Sequence, residues 1–165
     1  MNERLAMRRV PADAAALFNP AYFAAILHRL CSGYQFGGES GIPYALPFLA
    51  LPIVLHEASA ECLPPSARSR LHSWLLDNPE ILIGFADRAR SLAPFVRDAI
   101  SFALKYQIIQ LVESDRLAAS KSTQVAKWEK QPYNSATAKR AVILGKLLSQ
   151  INEVSTVFTL FGVRP

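Results

Sequence analysis

The sequence is poor in the residues from which disulfides and metal sites are built. It has two cysteines, Cys31 and Cys62, and three histidines in 165 residues. The cysteines lie far apart and form no Cys-x-x-Cys pair of the kind that binds zinc. We therefore expect two buried, unpaired thiols, with no metal and no cofactor.

The chain also lacks a hydrophobic run long enough to span a membrane. The longest run, residues 42–55, has 14 residues and contains three prolines, whereas a helical span needs about 20. Residues 1–9 carry three arginines, but no apolar core or small-residue cleavage site follows them, so a secretory signal is not predicted. We expect a cytoplasmic protein without a membrane partner, in which residues 43–56 form a buried helix.

No pattern in the sequence completes a catalytic or nucleotide-binding site. The glycine-rich stretch 37–41 lacks the Gly-Lys-Ser/Thr ending of a phosphate-binding loop, and no strand leads into it. The residues with catalytic potential are His28 with Cys31, His56 with Glu57, Glu61 with Cys62, and His72. None of them forms a ligand set or a nucleophile with a recognisable base. We do not expect an enzyme.

What is present is the pattern of a winged helix-turn-helix over residues 79–118. A short helix is predicted over residues 81–91, then a sharp turn, a second helix over 94–106 and a β-hairpin over 107–118. Pro94 falls in the first turn of the second helix, where proline is favoured, and apolar residues recur in this helix at spacings of three and four. β-Prone residues before a polar turn predict the hairpin, which would be the wing. The polar stripe of the second helix contains Asp98, and the helix is otherwise apolar nearly all round, which favours a protein interface over a DNA groove.

Helix signals flank this unit on both sides. Asn19-Pro20 predicts a helix start, because Asn is a preferred N-cap and Pro fits the first helical position. Pro64-Pro65 interrupts the chain before a predicted helix over residues 66–77. Residues 120–135 are polar and aperiodic, as expected of a linker, and a helix is predicted over 136–151.

We therefore expect a mainly α-helical fold with a small β-hairpin, built as a winged helix-turn-helix core with additional N-terminal and C-terminal helices. Residues 1–18 would form an arm, and residues 19–165 a single domain. Within this domain we predict an N-terminal helical part (19–65), the winged-helix unit (66–119), and a basic linker with C-terminal helices (120–165).

Positive charge is concentrated in the last third of the chain. Residues 114–165 contain eight Lys or Arg and three Asp or Glu, a net charge of +5. The net charge of residues 1–113 is zero. A concentrated positive charge predicts contacts with a polyanion, although a surface that is basic only for solubility gives the same pattern. The candidate DNA-phosphate contacts are Lys121, Lys127, Lys130, Lys139 and Arg140.

Residues 154–161, near the C-terminus, are strongly apolar and must be shielded from water. Exposed side chains of this size are costly in water, so we expect them to pack either on the domain or on another subunit. The candidate interface residues are Val157, Phe158, Leu160, Phe161 and Arg164.

The sequence resembles the middle component of bacterial three-component ABC systems, which include Lamassu-type defence against phages and plasmids. The resemblance runs over most of the chain and rests on the order of several short elements. These are Asn19-Pro20-Ala21-Tyr22, residues 51–56, Leu63-Pro64-Pro65-Ser66, Asn78-Pro79-Glu80, Ile83-Gly84-Phe85, Arg88-Ala89-Arg90 and the closing residues 160–165.

The resemblance implies a non-catalytic adaptor that binds an SMC-like ABC ATPase and an effector subunit, often a nuclease. DNA would be contacted through the complex. We favour this interpretation, and the alternative is a stand-alone winged-helix transcriptional regulator that binds DNA by itself.

Overall fold

The computed structural model of the chain describes residues 18–164, so the predicted arm at residues 1–18 lies almost entirely outside the described residues. Over this range the chain forms eight α-helices, one 3-10 helix and three short strands. The elements in order are α1 (Pro20–Gln35), β1 (Ile42–Pro43), α2 (Pro47–Val54), α3 (Glu57–Glu61), α4 (Leu71–Asp77), a 3-10 helix (Pro79–Leu82), α5 (Phe85–Lys105), β2 (Ile109–Val112), β3 (Arg116–Ala119), α6 (Thr123–Glu129), α7 (Pro132–Leu148) and α8 (Val154–Leu160). The prediction of a mainly helical fold with a small β element is confirmed.

Helix α1 starts where the sequence predicts. The Asn19 side chain accepts a hydrogen bond from the Ala21 amide at 2.9 Å, and Pro20 occupies the first turn. Such a cap satisfies one of the amides that a helix start leaves without a partner. Ten of the sixteen residues of α1 are buried, so this helix runs through the centre of the fold.

Helices α1 and α7 pack with their backbones almost touching. A Cβ atom on Gly33 would overlap the Val142 carbonyl, and a Cβ atom on Gly145 would overlap the Leu30 carbonyl. Each helix therefore supplies one glycine at the point where the other helix comes closest. Glycine is needed here for its lack of a side chain, since the approach leaves no room for one.

The predicted break between two helices at residues 92–93 is wrong. Helix α5 is continuous from Phe85 to Lys105 and contains Pro94 in its interior. Proline in a helix interior costs about 3 kcal/mol. The helix continues because it buries side chains on both sides of the proline: Phe85 and Ala89 before it, Val96, Ala99, Ile100 and Ala103 after it. The winged helix-turn-helix is therefore not confirmed.

The predicted hairpin is confirmed, and the structure adds a third strand to it. Strands β2 and β3 pair antiparallel, with Ile109 opposite Ala119 and Val112 opposite Arg116. Strand β1 pairs with the other edge of β3, so that β3 is the central strand. The sequence predicted Pro43 inside a helix. Instead it lies in an edge strand, where its missing N–H breaks no interior ladder, and the helix starts at Pro47.

Residues 120–135 are not a linker, because they contain a helix and the start of the next one. Ser122 caps α6 by accepting a hydrogen bond from the Val125 amide at 3.2 Å, and Val125 is buried. Helix α7 begins at Pro132 rather than at residue 136. The helix predicted over residues 66–77 is shorter than expected, since α4 begins at Leu71, whose amide donates to the Gln150 side chain.

The C-terminal helix α8 packs on the chain's own core. Val157, Phe158 and Phe161 are buried, and the Phe161 ring lies 5.1 Å from the Phe85 ring, centre to centre. One hydrophobic core takes side chains from residues 19–65, 66–119 and 120–165 alike. These three segments are thus joined by shared burial.

Candidate interaction surfaces

An open groove of about 590 Å³ lies where α2, the first half of α5 and the C-terminal residues meet. Helix α5 contributes Ala86, Ala89, Arg90 and Ala93, which lie on one face of the helix at spacings of three and four. The other walls come from the residues before and within α2 and from the end of the chain: Tyr44, Ala45, Phe48, Leu49, Phe158, Gly162, Val163 and Arg164. We call this the α5 groove.

The α5 groove is apolar inside and carries positive charge. Its only charged lining residues are Arg90 and Arg164, and both are exposed. Arg90 also bonds Asp87 at 2.9 Å, but both side chains lie in water, where an ion pair of this kind is worth little. The groove is therefore suited to a ligand that presents apolar side chains flanked by carboxylates.

Four of the five predicted phosphate-contacting residues lie free on the surface. Lys121, Lys127, Lys130 and Lys139 are exposed, and within residues 18–164 none of them forms an ion pair. Arg140 is half-buried, and its guanidinium lies 3.3 Å from a carboxylate oxygen of Glu57. Its charge is partly neutralised, so Arg140 is a weaker candidate than the lysines.

The lysines around α6 are held on a folded support. Arg29 of α1 forms an ion pair with Glu129 of α6, and both side chains are partly buried. Such a pair between helices, together with the buried Val125, fixes α6 against α1. Lys127 and Lys130 are thus presented by an ordered element, not by an aperiodic one as the sequence indicated.

A second concave site lies between the start of α1, the end of α5 and α6. It has a volume of about 550 Å³ and is lined by four aromatic rings, three amide side chains and small apolar residues: Asn19, Ala21, Tyr22, Ala25, Phe102, Tyr106, Ile108, Gln124, Val125, Trp128 and Asn134. We call it the aromatic pocket. The sequence contained one signal for it, namely that Trp128 stands between Lys127 and Lys130, but the interpretation of this stretch as a linker concealed it.

His28 and Cys31 lie on α1 but do not form a reactive pair that water can reach. His28 is 7% exposed, and its Nε2 lies 2.7 Å from the Ser120 carbonyl, to which it donates. Burial lowers the pKa of His28 below its ordinary value, so the ring is neutral at pH 7. Cys31 is fully buried, and burial raises the pKa of its thiol far above neutrality. Both have the environment of core residues.

The other residues with catalytic potential are dispersed. His56 caps α3 through its Nδ1, which accepts from the Ser59 amide at 3.3 Å. Cys62 is half-buried, so the expectation of two buried thiols holds for Cys31 alone. Its thiol donates to the Ala58 carbonyl at 3.2 Å, and desolvation together with nearby carboxylates raises its pKa. His72 is exposed on α4. Across residues 18–164, no three His, Cys, Asp or Glu side chains are grouped to hold a metal ion, and both cysteines are free thiols.

The predicted interface residues at the C-terminus divide into two groups. Val157, Phe158 and Phe161 are buried in the core, so the first of the two expected ways to cover them is the one observed. Leu160 is half-buried and Arg164 is exposed. Of the five, Phe158 and Arg164 line the α5 groove, whose α5 wall the sequence did not reveal.

In the described part of the chain, the helices are all too short or too polar to cross a lipid bilayer.

Comparison with known proteins gives one finding. The family model of the ABC-three component (ABC-3C) system Middle Component 3 matches residues 7–165. No curated protein and no solved structure matches the chain significantly. The family match covers nearly the whole chain, and a middle component works together with partner subunits. The chain therefore belongs to the Middle Component 3 family of ABC three-component systems.

Proposed function

We propose that this chain is a non-catalytic accessory subunit that bridges an SMC-like ABC ATPase and an effector nuclease in Lamassu-like defence against phages or plasmids. Family membership supports a place among several subunits. The observation that carries the accessory role is the α5 groove, an apolar surface that residues 18–164 leave uncovered. Apolar grooves rimmed by polar residues are typical of protein interaction sites.

The groove favours an amphipathic helix of a partner subunit. Such a helix would place an apolar stripe against Phe48, Ala89 and Ala93, as helices do in other hydrophobic grooves. Carboxylates beside that stripe would meet Arg90 and Arg164. Complementary charge of this kind sets the orientation of the partner and speeds association.

A single substitution in the groove tests this assignment. Ala93→Glu introduces a carboxylate that would be desolvated by an apolar partner and would repel acidic flanking residues. We expect it to weaken capture of a partner subunit about tenfold or more in co-purification of the three components. Ala136→Glu is the matched control, because Ala136 is exposed on α7 outside the groove.

The thermal unfolding of both variants should stay close to that of the unmodified chain. Equal partner capture by Ala93→Glu and Ala136→Glu would contradict the groove as the docking site. The bridging role has its own test, since the ATPase and the effector should fail to co-purify when this chain is left out. If they still co-purify, the chain does not bridge them.

DNA contact by the assembled complex is expected at the lysines near α6. Lys127→Glu with Lys130→Glu should weaken DNA binding, and the loss should shrink as the salt concentration rises, because each neutralised phosphate releases counterions. Arg97 is exposed on α5, and Arg97→Ala should change DNA binding little. A loss that does not depend on salt would contradict phosphate contacts.

One observation favours the alternative of a stand-alone DNA-binding regulator. In the second half of α5 the polar stripe faces water, with Arg97, Asp98, Ser101 and Lys105 exposed. A regulator would read bases with such a face. Selection of one motif from a random DNA pool by the isolated chain, relaxed by Arg97→Ala, would establish the alternative.

A further inference from the structure

The aromatic pocket has the residues that hold a planar ring. The Tyr22 and Trp128 rings meet edge to face with their centres 5.7 Å apart. The Phe102 and Tyr106 rings, which also line the pocket, have their centres 4.5 Å apart and are tilted by 42°. Tyr106 is 54% exposed, so part of its surface faces solvent and is free for a ligand. Aromatic side chains arranged in this way provide surfaces on which a flat group stacks.

Three amide side chains add hydrogen-bonding groups to these walls. Asn19 uses its oxygen to cap α1, which leaves its NH₂ group for another acceptor. Asn134 uses its NH₂ group to bond the Trp128 carbonyl at 3.0 Å, which leaves its oxygen for another donor. Gln124 makes no side-chain hydrogen bond within residues 18–164. The pocket thus offers both donors and acceptors at its edge, as the polar edges of a nucleobase require.

The charge around the pocket decides which flat or cationic group fits. Aromatic cages also bind quaternary ammonium groups and methylated lysines. Here the Lys105 Nζ lies 5.5 Å from the centre of the Tyr106 ring, and the exposed Lys127 is the sequence neighbour of Trp128. The acidic residue of α6, Glu129, is already paired with Arg29. A cation would be repelled, whereas a base that carries phosphates would be attracted.

We propose that the aromatic pocket binds an unpaired nucleobase of single-stranded nucleic acid, with the strand's phosphates directed to Lys105, Lys127 and Lys130. Proteins that hold single strands combine these same two features, an aromatic stacking surface and a basic track for the backbone. The Trp128 Nε1 is buried and has no hydrogen-bond partner within the described residues.

Base binding would be additional to the accessory role, and it does not depend on which partner occupies the α5 groove. The distinguishing feature is the base itself, because lysines alone would hold any polyanion equally well. A strand that has the phosphates but lacks the bases is therefore the informative comparison.

The experiment measures binding of the full chain to a labelled single strand of about twelve nucleotides by fluorescence anisotropy. An abasic strand of equal length carries the same phosphates. We expect the abasic strand to bind about tenfold more weakly, since stacking of one base accounts for that much affinity. Tyr106→Ala should reduce binding of the base-containing strand to the level of the abasic strand.

The control variant is Tyr133→Ala, which removes the same kind of side chain from a position that is 92% exposed and outside the pocket. It should leave affinity unchanged. The single strand should also quench tryptophan fluorescence, and Trp128→Phe should abolish the quenching. Trp74, the remaining tryptophan, is buried and its ring nitrogen is bonded to the Cys62 carbonyl.

Three results would overturn the proposal. Equal affinity for the base-containing and the abasic strand would show that the chain contacts only the phosphates. Quenching by thymidine monophosphate at the concentrations that suffice for the strand would identify a free nucleotide as the ligand. Binding of a blunt duplex as tight as that of the single strand would show that unpaired bases are not required.

Discussion

Two surfaces in this fold are built from small residues, but one is packed against a second helix and the other is open. Between α1 and α7, Gly33 and Gly145 allow two helices to meet at their backbones, and the interface is filled by the chain itself. Along α5, the small residues Ala86, Ala89 and Ala93 line the α5 groove, which stays open among the residues that the structure describes. Small residues thus allow close packing between α1 and α7, whereas along α5 they leave an open groove.

The difference lies in what stands opposite. Each glycine faces the main chain of the other helix. The room left by the missing side chain is therefore filled by the other helix of the same chain. The alanines of α5 face a space bordered by Phe48 and Phe158, and Tyr44, 41% exposed, stands at the edge of this space. Small residues therefore indicate an internal contact only where a second element is placed to use the room. Otherwise they mark room for a molecule from outside.

The largest effect is expected from removal of α8, which borders the groove but is anchored in the core. Deletion of Val154–Pro165 takes Val157, Phe158 and Phe161 out of the core, and a buried Phe is worth about 3–5 kcal/mol. The loss approaches the total stability of a small domain. We expect the truncated chain not to fold, as seen by circular dichroism.

Arg164→Glu is the control for this deletion, because it changes the groove without changing the core. This variant should fold normally. A truncated chain that unfolds cooperatively and still captures a partner subunit would show that α8 is needed neither for the fold nor for docking.

A matched pair of substitutions compares the filled surface with the open one. Gly145→Leu places a side chain against the Leu30 carbonyl, and we expect it to lower the free energy of unfolding by about 3 kcal/mol or more. Ala93→Leu adds the same kind of side chain to the α5 groove, where there is room, and should change stability by less than about 1 kcal/mol. Urea unfolding measures both. Equal losses would mean that the groove is as tightly filled as the helix pair.

Acid should weaken the fold through α1, on the filled side of the comparison. The pKa of His28 is lowered in the folded chain, mainly by burial, from an ordinary value of 6.5. Below pH 6.5, His28 binds a proton in the unfolded chain but not in the folded chain. The free energy of unfolding therefore falls as the pH drops below 6.5, and His28 does not change it above pH 6.5. The slope contributed by one group stays under about 1.4 kcal/mol per pH unit.

His28→Gln removes this contribution. Unfolding curves at several pH values should therefore give a smaller loss of stability for His28→Gln than for the unmodified chain between neutral and mildly acidic pH. Identical pH dependence of the two proteins would assign the acid sensitivity to other groups.

The smallest effect is expected on function at the histidines and cysteines, none of which lines the α5 groove. His28→Ala, Cys31→Ala, Cys62→Ala and His72→Ala should leave the proposed defence activity near that of the unmodified system wherever the protein stays folded. Plaque counts in cells that carry the three components measure this. Loss of activity with stability and assembly intact would revive an enzymatic role.

The sequence predicted those elements whose signals are local. Asn19-Pro20 gave the start of α1 because a cap and a first-turn proline act within a few residues. The β2–β3 hairpin followed from β-prone residues on either side of a polar turn. Helix α6 was missed although Ser122 caps it, since a seven-residue helix with one buried residue gives almost no periodic pattern.

Errors arose where distant parts of the chain decide the outcome. Pro94 is a sound helix-start signal by local rules, but burial on both sides of it keeps α5 continuous. The start of α4 depends on the Gln150 side chain, 79 residues away. Neither groove nor aromatic pocket was predicted, because each is assembled from three separate segments. The basic last third of the chain could be located from the sequence, since net charge can be counted without knowing the fold, and phosphate contact by its lysines stays a prediction.

The pairing of β1 with β3 has a consequence for the order of folding. Ile42 pairs with Leu117, so this contact closes a loop of about 75 residues, whereas the β2–β3 hairpin is local and forms within microseconds. The Tyr44 amide donates to the Asp115 carbonyl at 2.9 Å, which ties one edge of the α5 groove to the slow contact. The Ser120 amide, next to the end of β3, donates to the Ile108 carbonyl at 3.1 Å. Pulse-labelling hydrogen exchange should protect this amide before that of Tyr44. The docking surface would then be completed late, and partner subunits would meet it only on chains that have finished folding.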